Sequence, residues 1–282
     1  MESSVSKQPS DNASWSTVRE LAEAGRWDDC LALLITLVPA KRSSVLEFQK
    51  IGAEAARIIA LSVPEEVTSV HDFLTLTVSR ADEVCSELEV QFPEVSGPFT
   101  RMQLAIAEGS SSAYVTVAKE LRDLGRPYRA ILAASKSLEL DRRNVAALTI
   151  RAASYADMFD TVLATADITA AETLKAGDVM VLNVKSRIAA MEGELTESLA
   201  TALRSFHQHP TKIAARQVGS RLEKLGHKSR MMNSYELAAQ MPEEMPKKLT
   251  EAQQRGLERL VRESLDEVEA AKEQPTSAAE HS

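Results

Sequence analysis

Hydrophobic positions along most of this chain recur every three or four residues, which is the spacing of amphipathic α-helices. The stretch from Gly125 to Leu148 shows the pattern best. Pro127 stands where a helix can begin, and small and branched apolar residues share one face through Leu138. A polar break at 141–144 ends this helix, and a second amphipathic segment follows. The pattern therefore predicts pairs of helices joined by short turns.

The helix pairs repeat along the chain. Steps of 34, 34 and 33 residues lead from Gly125 to Phe159, Gly193 and Gly226. With this offset the second helices align as AILAASKSLEL, ATADITAAETL, SLATALRSFHQ and MMNSYELAAQM. The first helices align at a position whose small side chain lets two helices cross closely: Ala118, Ala152, Ser186 and Gly219. Four units in the same register predict a stack of helix hairpins, because no single hairpin buries its own apolar face.

These residues resemble the tetratricopeptide repeat family, whose unit has a small residue at position eight, Gly at fifteen, and Ala at twenty and twenty-seven. The unit 111–144 supplies Ala118, Gly125, Ala130 and Ser137, and its LELDRRN is similar to the family's LELDPNN. Departures from the family pattern occur at Phe159, Ser198, Ser205 and Met231. The resemblance covers about half the chain. It implies an all-α fold, a superhelical array of antiparallel helix hairpins, or α-solenoid.

The ends of the chain complete this organisation. We expect a disordered N-terminus at 1–12 and divergent helical hairpins at 13–92, in which a long helix begins at Pro64. Prolines at 93 and 98 predict another break before the array proper at 93–246. A capping helix at 247–271 follows, because Thr250 and Gln253 form a capping box. Residues 272–282 are predicted to be a disordered tail.

The apolar stripe of the C-terminal helix permits two interpretations. Its residues are Leu257, Leu260, Val261, Leu265 and Val268. The stripe can cover the last hairpin, as terminal repeats require, or it can mediate dimerisation. We favour the capping role. The oligomeric state stays open.

Composition and charge narrow the classes of function. The chain is 44% hydrophobic but only 4% aromatic, and its net charge of -8 argues against a general affinity for nucleic acid. Cys30 and Cys85 stand in apolar helical patterns and are expected to be free thiols. The N-terminus lacks the apolar core of a signal peptide, and no apolar run is long enough to span a bilayer. We therefore expect a cytoplasmic protein.

Enzyme signatures are absent from the sequence. There is no G-x-G-x-x-G, no G-K-[ST], no G-x-S-x-G and no H-E-x-x-H. His207 and His209 are the nearest approach to a metal pair, but their spacing directs them differently at a helix end and no third ligand is evident. We expect neither catalysis nor a cofactor or metal.

The candidate binding residues follow from the resemblance, since the first helices of such repeats line a concave groove. The positions that face it carry Lys119, Arg122, Thr149, Asn183, Arg187, Arg216 and Ser220. Their net positive character implies a receptor for an acidic segment, although they can equally be ordinary solvated positions. Members of the family that bind chaperone tails carry lysine and asparagine at fixed groove positions, and this chain does not match that pattern. Val115 stands at the first of these positions in the first unit, and Ile150 and Met180 stand at matching positions in the next two units.

The leading hypothesis is a noncatalytic protein-interaction scaffold, such as an adaptor, assembly factor or chaperone, that binds a peptide or partner protein in the groove. The alternative is an accessory or regulatory subunit of a larger enzyme or of a secretion or assembly machine, binding through the N-terminal hairpins or the C-terminal helix. Basic residues cluster from Lys212 to Arg230, but aromatic residues for base stacking are too few to favour nucleic acid.

Overall fold

The protein consists of α-helices with short connections. The computed structural model describes residues 14–37, 45–88, 93–241 and 249–273, and within these ranges it contains fourteen α-helices and no strand. The side chains of 45–48 and 267–273 are not described. The helices divide into two compact units, which meet in sequence between Ile150 and Arg151.

The first unit contains seven complete helices. They are α1 (Trp15–Glu23), α2 (Trp27–Leu37), α3 (Val45–Leu61), α4 (Val70–Glu87), α5 (Pro93–Glu108), α6 (Ser111–Asp123) and α7 (Pro127–Leu140). Helix α1 packs on α2 and α3, α4 and α5 pack on α3, and α6 packs on α5 and α7. Phe73, Phe99 and Leu121 are fully buried in the core that joins these helices.

Helix α8 (Val145–Asp157) crosses the division, and six further helices belong to the second unit. They are α9 (Thr161–Leu174), α10 (Val179–Met191), α11 (Leu195–Gln208), α12 (Lys212–Lys224), α13 (Lys228–Gln240) and α14 (Glu251–Glu273). From α9 to α14 each helix packs on the next, and α14 also packs on α11. The fold is therefore all-α and built from consecutive antiparallel hairpins, as the sequence predicts.

The turns confirm the predicted register. Gly125, Gly193 and Gly226 all have positive φ, between +78° and +84°, and Gly25 in the turn between α1 and α2 has φ +71°. This left-handed conformation costs little only for glycine, and it ends a helix sharply. Phe159 stands at the equivalent turn with φ 62° and is the one non-glycine residue with positive φ among those described. Phe159 therefore adopts the same left-handed turn conformation as the glycines at the equivalent positions.

Small residues hold the hairpins close together. Ala118 and Ala152 are fully buried. Ser186 and Ser198 each donate a hydroxyl to the other's carbonyl, at 2.8 and 2.5 Å, where α10 crosses α11. A Cβ at Gly219 would lie 2.8 Å from Cε1 of Tyr235, so α12 and α13 need glycine there. The serines at alanine positions are thus packing residues whose hydroxyls are satisfied by facing carbonyls.

Two sequence predictions in the first unit are wrong. No helix begins at Pro64, because Ser69 caps the first turn of α4 and accepts from Asp72 N at 3.4 Å. The segment before it is bound instead by Arg129, which donates to the carbonyls of Pro64 and Val67. A side chain from α7 therefore fixes the entry to α4.

The predicted break at the prolines is also wrong. Pro93 is the first residue of α5, where no N–H partner is needed, and Pro98 lies within the helix. The buried face formed by Val95, Phe99 and Met102 holds α5 together despite the hydrogen bond that Pro98 cannot make.

Helix α14 covers the end of the second unit. Thr250 N donates to Oε1 of Gln253 at 2.9 Å, and Gln253 N donates to Thr250 Oγ1 at 3.3 Å, which is the reciprocal capping box that the sequence predicts. Leu257 and Leu260 are 2% and 3% exposed in a core shared with α11, α12 and α13. Leu265 is 36% exposed, so the stripe is buried at its beginning and open further on.

Several predicted boundaries lie outside the described residues. These are the N-terminal segment before residue 14, the division at residue 92, the start of the capping region at 247 and the tail beyond 273. They stay predictions.

Candidate functional site

In the first unit the predicted binding residues lie in different environments. Lys119 is exposed on α6, and its Nζ lies 3.2 Å from Asp123 Oδ2. Arg122 is half-buried in the last turn of the same helix, where a cation is favourable for the helix dipole. Thr149 is 3% exposed, and its hydroxyl donates to Val145 O at 2.7 Å. Thr149 is therefore a packing residue here.

The charges around Lys119 neutralise one another. Arg101 forms a two-pronged ion pair with Glu120, at 2.7 and 3.0 Å, and Arg57 Nε donates to Asp123 O at 3.2 Å. A cavity of about 430 Å³ lies among these side chains. Three cations and three carboxylates line it: Arg57, Arg101, Lys119, Glu94, Glu120 and Asp123. Since the balance is neutral, this cavity offers no net attraction to an acidic ligand.

In the second unit α10 presents Asn183 and Arg187, one turn apart on one face. Asp178 begins the helix by accepting from Met180 N and Val181 N, at 2.9 and 3.4 Å. Burial raises the pKa of the Asp178 carboxyl, but the hydrogen bond to Lys175 and those from the two amides lower it further, and the net pKa falls. The cap sets where α10 begins and stabilises its first turn, next to this face.

Both side chains on α10 are partly engaged. Asn183 Oδ1 accepts from the buried Ser205 Oγ at 2.6 Å, which leaves its amide nitrogen without a hydrogen bond to the described residues. Arg187 lies 2.6 Å from Asp157, and both side chains are about one-third exposed or less. Neither side chain is an ordinary solvated group.

Helix α12 begins at the Thr211 cap, which accepts from Ala214 N at 3.3 Å. Arg216 and Ser220 share one face a turn apart, and Arg216 is exposed with no ion pair among the residues described. Glu223, on the same face, is also exposed. Arg221 lies on the adjoining face, which is directed towards α10 and α11.

Ser198 on α11 is the point where α10 and α12 meet. Its hydroxyl donates to Ser186 O and accepts from Arg221 Nε at 3.0 Å. Burial lowers the pKa of the Arg221 guanidinium, and the neighbouring positive charge of Arg187 lowers it further. In the described part of the chain Arg221 has a serine hydroxyl as its partner and no carboxylate. Two half-buried guanidinium groups therefore lie near each other, and in the described part of the chain only Arg187 pairs with a carboxylate, that of Asp157.

We call Asn183, Arg187, Arg216, Ser220 and Arg221 the basic surface. It offers two guanidinium groups with unused donors, a third exposed guanidinium, an amide and a hydroxyl. A guanidinium group can donate two parallel hydrogen bonds to the two oxygens of one carboxylate. Amide and hydroxyl groups can hydrogen-bond the N–H and C=O groups of a peptide backbone. Within the second unit this arrangement is suited to an anionic, peptide-like ligand.

Arg221 is the residue that the groove positions alone did not select. The run of basic residues from Lys212 to Arg230, opposed by Glu223 alone, was the sequence signal that included it. Its contact with Ser198 depends on how α11 crosses α12, which a repeat pattern does not specify.

The described residues contain no group of three or more His, Cys, Asp or Glu side chains that could hold a metal ion. His207 and His209 are both exposed at the end of α11. Among the described helices, none combines the length and apolar character needed to cross a membrane.

Comparisons with known proteins add little to this picture. No family model matches the chain, and no curated protein does. Among solved structures, the chain is similar to the TPR2AB-domain:pHSP90-complex of yeast Sti1, at 15% sequence identity over 81% of this chain and 86% of that chain. The TM-score is 0.33, which carries no argument about binding. The fold assignment rests on the hairpins and their turns.

Proposed function

We propose that this protein is a noncatalytic interaction module, an adaptor or scaffold, whose basic surface binds an acidic segment of a peptide or partner protein. The observation that supports it is the pair Arg187 and Arg221. Both guanidinium groups are partly withdrawn from solvent and repel each other. Within the described residues Arg187 pairs with Asp157, whereas Arg221 donates to the Ser198 hydroxyl and pairs with no carboxylate. A ligand carboxylate placed between them would relieve that repulsion.

The expected strength of this contact follows from burial. An exposed ion pair contributes about 0–1 kcal/mol, whereas a hydrogen bond to a charged group in a partly buried site contributes about 1.5–3 kcal/mol. Arg187 and Arg221 belong to the second class and the exposed Arg216 to the first. We therefore assign most of the affinity to Arg187 and Arg221, and electrostatic steering of the ligand to Arg216.

The first unit provides the contrast. It has a cavity of about 430 Å³, but the cations that line this cavity are matched by carboxylates. Space without unmatched charge does not select an acidic ligand. The proposal therefore places the acidic segment on the second unit.

The test uses a fluorescein-labelled oligo-glutamate peptide and the full chain, with binding followed by fluorescence anisotropy. The double variant Arg187→Gln, Arg221→Gln is expected to bind at least about tenfold more weakly, which corresponds to about 1.4 kcal/mol. Arg216→Glu should weaken binding less and chiefly at low ionic strength. Glu223→Gln should bind more tightly, because it removes a repulsive charge.

Arg204→Glu is the matched control. Arg204 is an exposed arginine of α11 in the same unit, so the variant changes the net charge as Arg216→Glu does but away from the basic surface. Equal weakening by Arg204→Glu and Arg216→Glu would mean that the peptide responds to overall charge. Absence of binding by the unaltered protein at low salt would also overturn the proposal.

A further inference from the structure

The turn between α8 and α9 differs from the equivalent turns of the other hairpins. Glycine occupies the left-handed position at Gly125, Gly193 and Gly226, whereas Phe159 occupies it here with φ 62°. An L-residue in this conformation costs free energy, and a bulky one is uncommon there. The Phe159 side chain is 84% exposed, so no internal packing offsets that cost.

The side chains next to Phe159 are also apolar and exposed. Met158 is 47% exposed, Val162 is 77% and Leu163 is 45%. The equivalent segments after Gly125, Gly193 and Gly226 read RPYR, ELTE and HKSR, whereas DTVL follows Phe159. We call Met158, Phe159, Val162 and Leu163 the apolar tip. A fully exposed large side chain presents about 200 Å², so these exposed fractions together give the tip roughly 500 Å² of apolar surface. Exposed apolar patches of this size on soluble proteins are often binding sites.

Three exposed or capping carboxylates lie near the apolar tip. Asp160 caps α9 by accepting from Leu163 N at 3.0 Å, and Glu192 accepts from Thr165 Oγ1 at 3.4 Å across the neighbouring turn. Glu194 is exposed beside Glu192. None of the three forms an ion pair among the residues that the structure describes. The tip is thus hydrophobic at its centre and negative where Asp160 and Glu192 lie, while the Asp157 carboxylate just before Met158 is paired with Arg187.

We propose that the apolar tip inserts into an apolar cleft with lysine or arginine at its rim, on a partner protein other than this chain. Charge complementarity fixes the sign of the rim. The negative edge is repelled by anionic membrane surfaces, which disfavours a lipid partner. A symmetric contact between two tips would bury roughly 1,000 Å², at the lower limit for a stable interface, and would place like charges together. A protruding phenylalanine suits a pocket better than a flat contact.

The first experiment replaces Phe159 with p-benzoylphenylalanine in the full chain and irradiates it in a lysate of the native cells. The expected product joins position 159 to one partner protein, and mass spectrometry of the cross-linked peptide should locate it in an apolar cleft bordered by basic residues. Met180, 60% exposed on α10, carries the same photoreactive residue as the control and should give no such product. Products joining two copies of this chain, a polar attachment site, or no specific product would overturn the proposal.

The second experiment measures the affinity of the purified partner for substituted chains. Phe159→Gly should weaken binding at least about tenfold, whereas Met180→Ala should leave it unchanged. Oligo-glutamate binding at the basic surface should be the same in both variants, so failure of one proposal is distinguishable from failure of the other. Unchanged partner affinity of Phe159→Gly, or sedimentation of the unaltered chain with phosphatidylcholine vesicles that Phe159→Gly abolishes, would refute the protein cleft as the occupant.

Discussion

Replacing the glycine of a left-handed turn tests the repeat register through its backbone. Gly193 has φ +84°, and a Cβ built on it meets nothing within 4 Å. The entire effect of Gly193→Ala therefore comes from conformation and none from collision. The left-handed conformation costs an L-residue about 1–2 kcal/mol. Alanine also makes the unfolded chain less flexible than glycine does, which favours the folded state by about 0.4–1 kcal/mol. We expect a net loss of about 1 kcal/mol.

Gly97→Ala is the matched control because the same substitution is made there in a helical backbone that needs no positive φ. Gly97 lies inside α5, where glycine costs about 0.5–1 kcal/mol relative to alanine. A Cβ there would lie 3.3 Å from Nη1 of Arg101, the movable end of a long side chain. The Pro98 ring disfavours a helical residue that carries a Cβ directly before it, and this offsets the gain. We therefore expect Gly97→Ala to change the free energy of unfolding by less than about 0.5 kcal/mol.

Urea unfolding followed by far-ultraviolet circular dichroism measures both effects. With equal slopes, a loss of about 1 kcal/mol lowers the midpoint by about 0.3–0.5 M. Phe159→Gly should not destabilise the protein, since it relieves the same strain that Gly193→Ala introduces. If Gly193→Ala proves as stable as the parent chain, or if Gly97→Ala loses as much stability as Gly193→Ala, the backbone account of these turns is wrong.

Three further predictions concern single side chains. Asp178→Ala should lower the free energy of unfolding by about 1 kcal/mol at neutral pH. Because the pKa of Asp178 is lowered in the folded state, this loss, measured by urea titration, should shrink as pH falls below the ordinary pKa of 3.8. A loss that does not change with pH would contradict this. Burial, opposed by Arg80, raises the pKa of the Cys30 thiol from 9.0 to about 11. The unfolded chain therefore loses the thiol proton at lower pH than the folded chain, and stability relative to Cys30→Ala should fall by about 1 kcal/mol per pH unit between pH 9 and 11. Parallel stability curves would contradict this. Leu260→Ala should lower the free energy of unfolding by about 2–4 kcal/mol because Leu260 is 3% exposed. Leu265→Ala should lower it by less than about 1 kcal/mol. Equal losses of stability in thermal unfolding would contradict the capping role of α14.

The repeat was accessible from sequence because it is written in local signals. Turn glycines recur at a fixed offset and small residues mark the helix crossings, so the hairpins and even the deviant turn at Phe159 follow from the pattern. The first unit was harder. Arg129 of α7 hydrogen-bonds the segment that leads into α4. In α5 the burial of one apolar face offsets the helix hydrogen bond that Pro98 cannot make. Such tertiary contacts leave no trace in local periodicity.

The candidate site was predictable only in part. Periodicity placed Asn183 with Arg187 and Arg216 with Ser220 on shared helix faces. It could not show that Lys119 is matched by Asp123, that Thr149 is buried, or that Arg221 reaches Ser198. These depend on how one helix is rotated against its neighbour, and a charge count along the chain does not contain that information.

The arginine side chains themselves report most directly on the central proposal, that an acidic segment binds between α10 and α12. Titration of the isotopically labelled chain with oligo-glutamate can be followed at the Nε–Hε resonances of Arg187, Arg221 and Arg204. We predict saturable shifts for Arg187 and Arg221 and none for Arg204. Shifts of equal size at all three, or a shift at Arg204 alone, would contradict the proposed site.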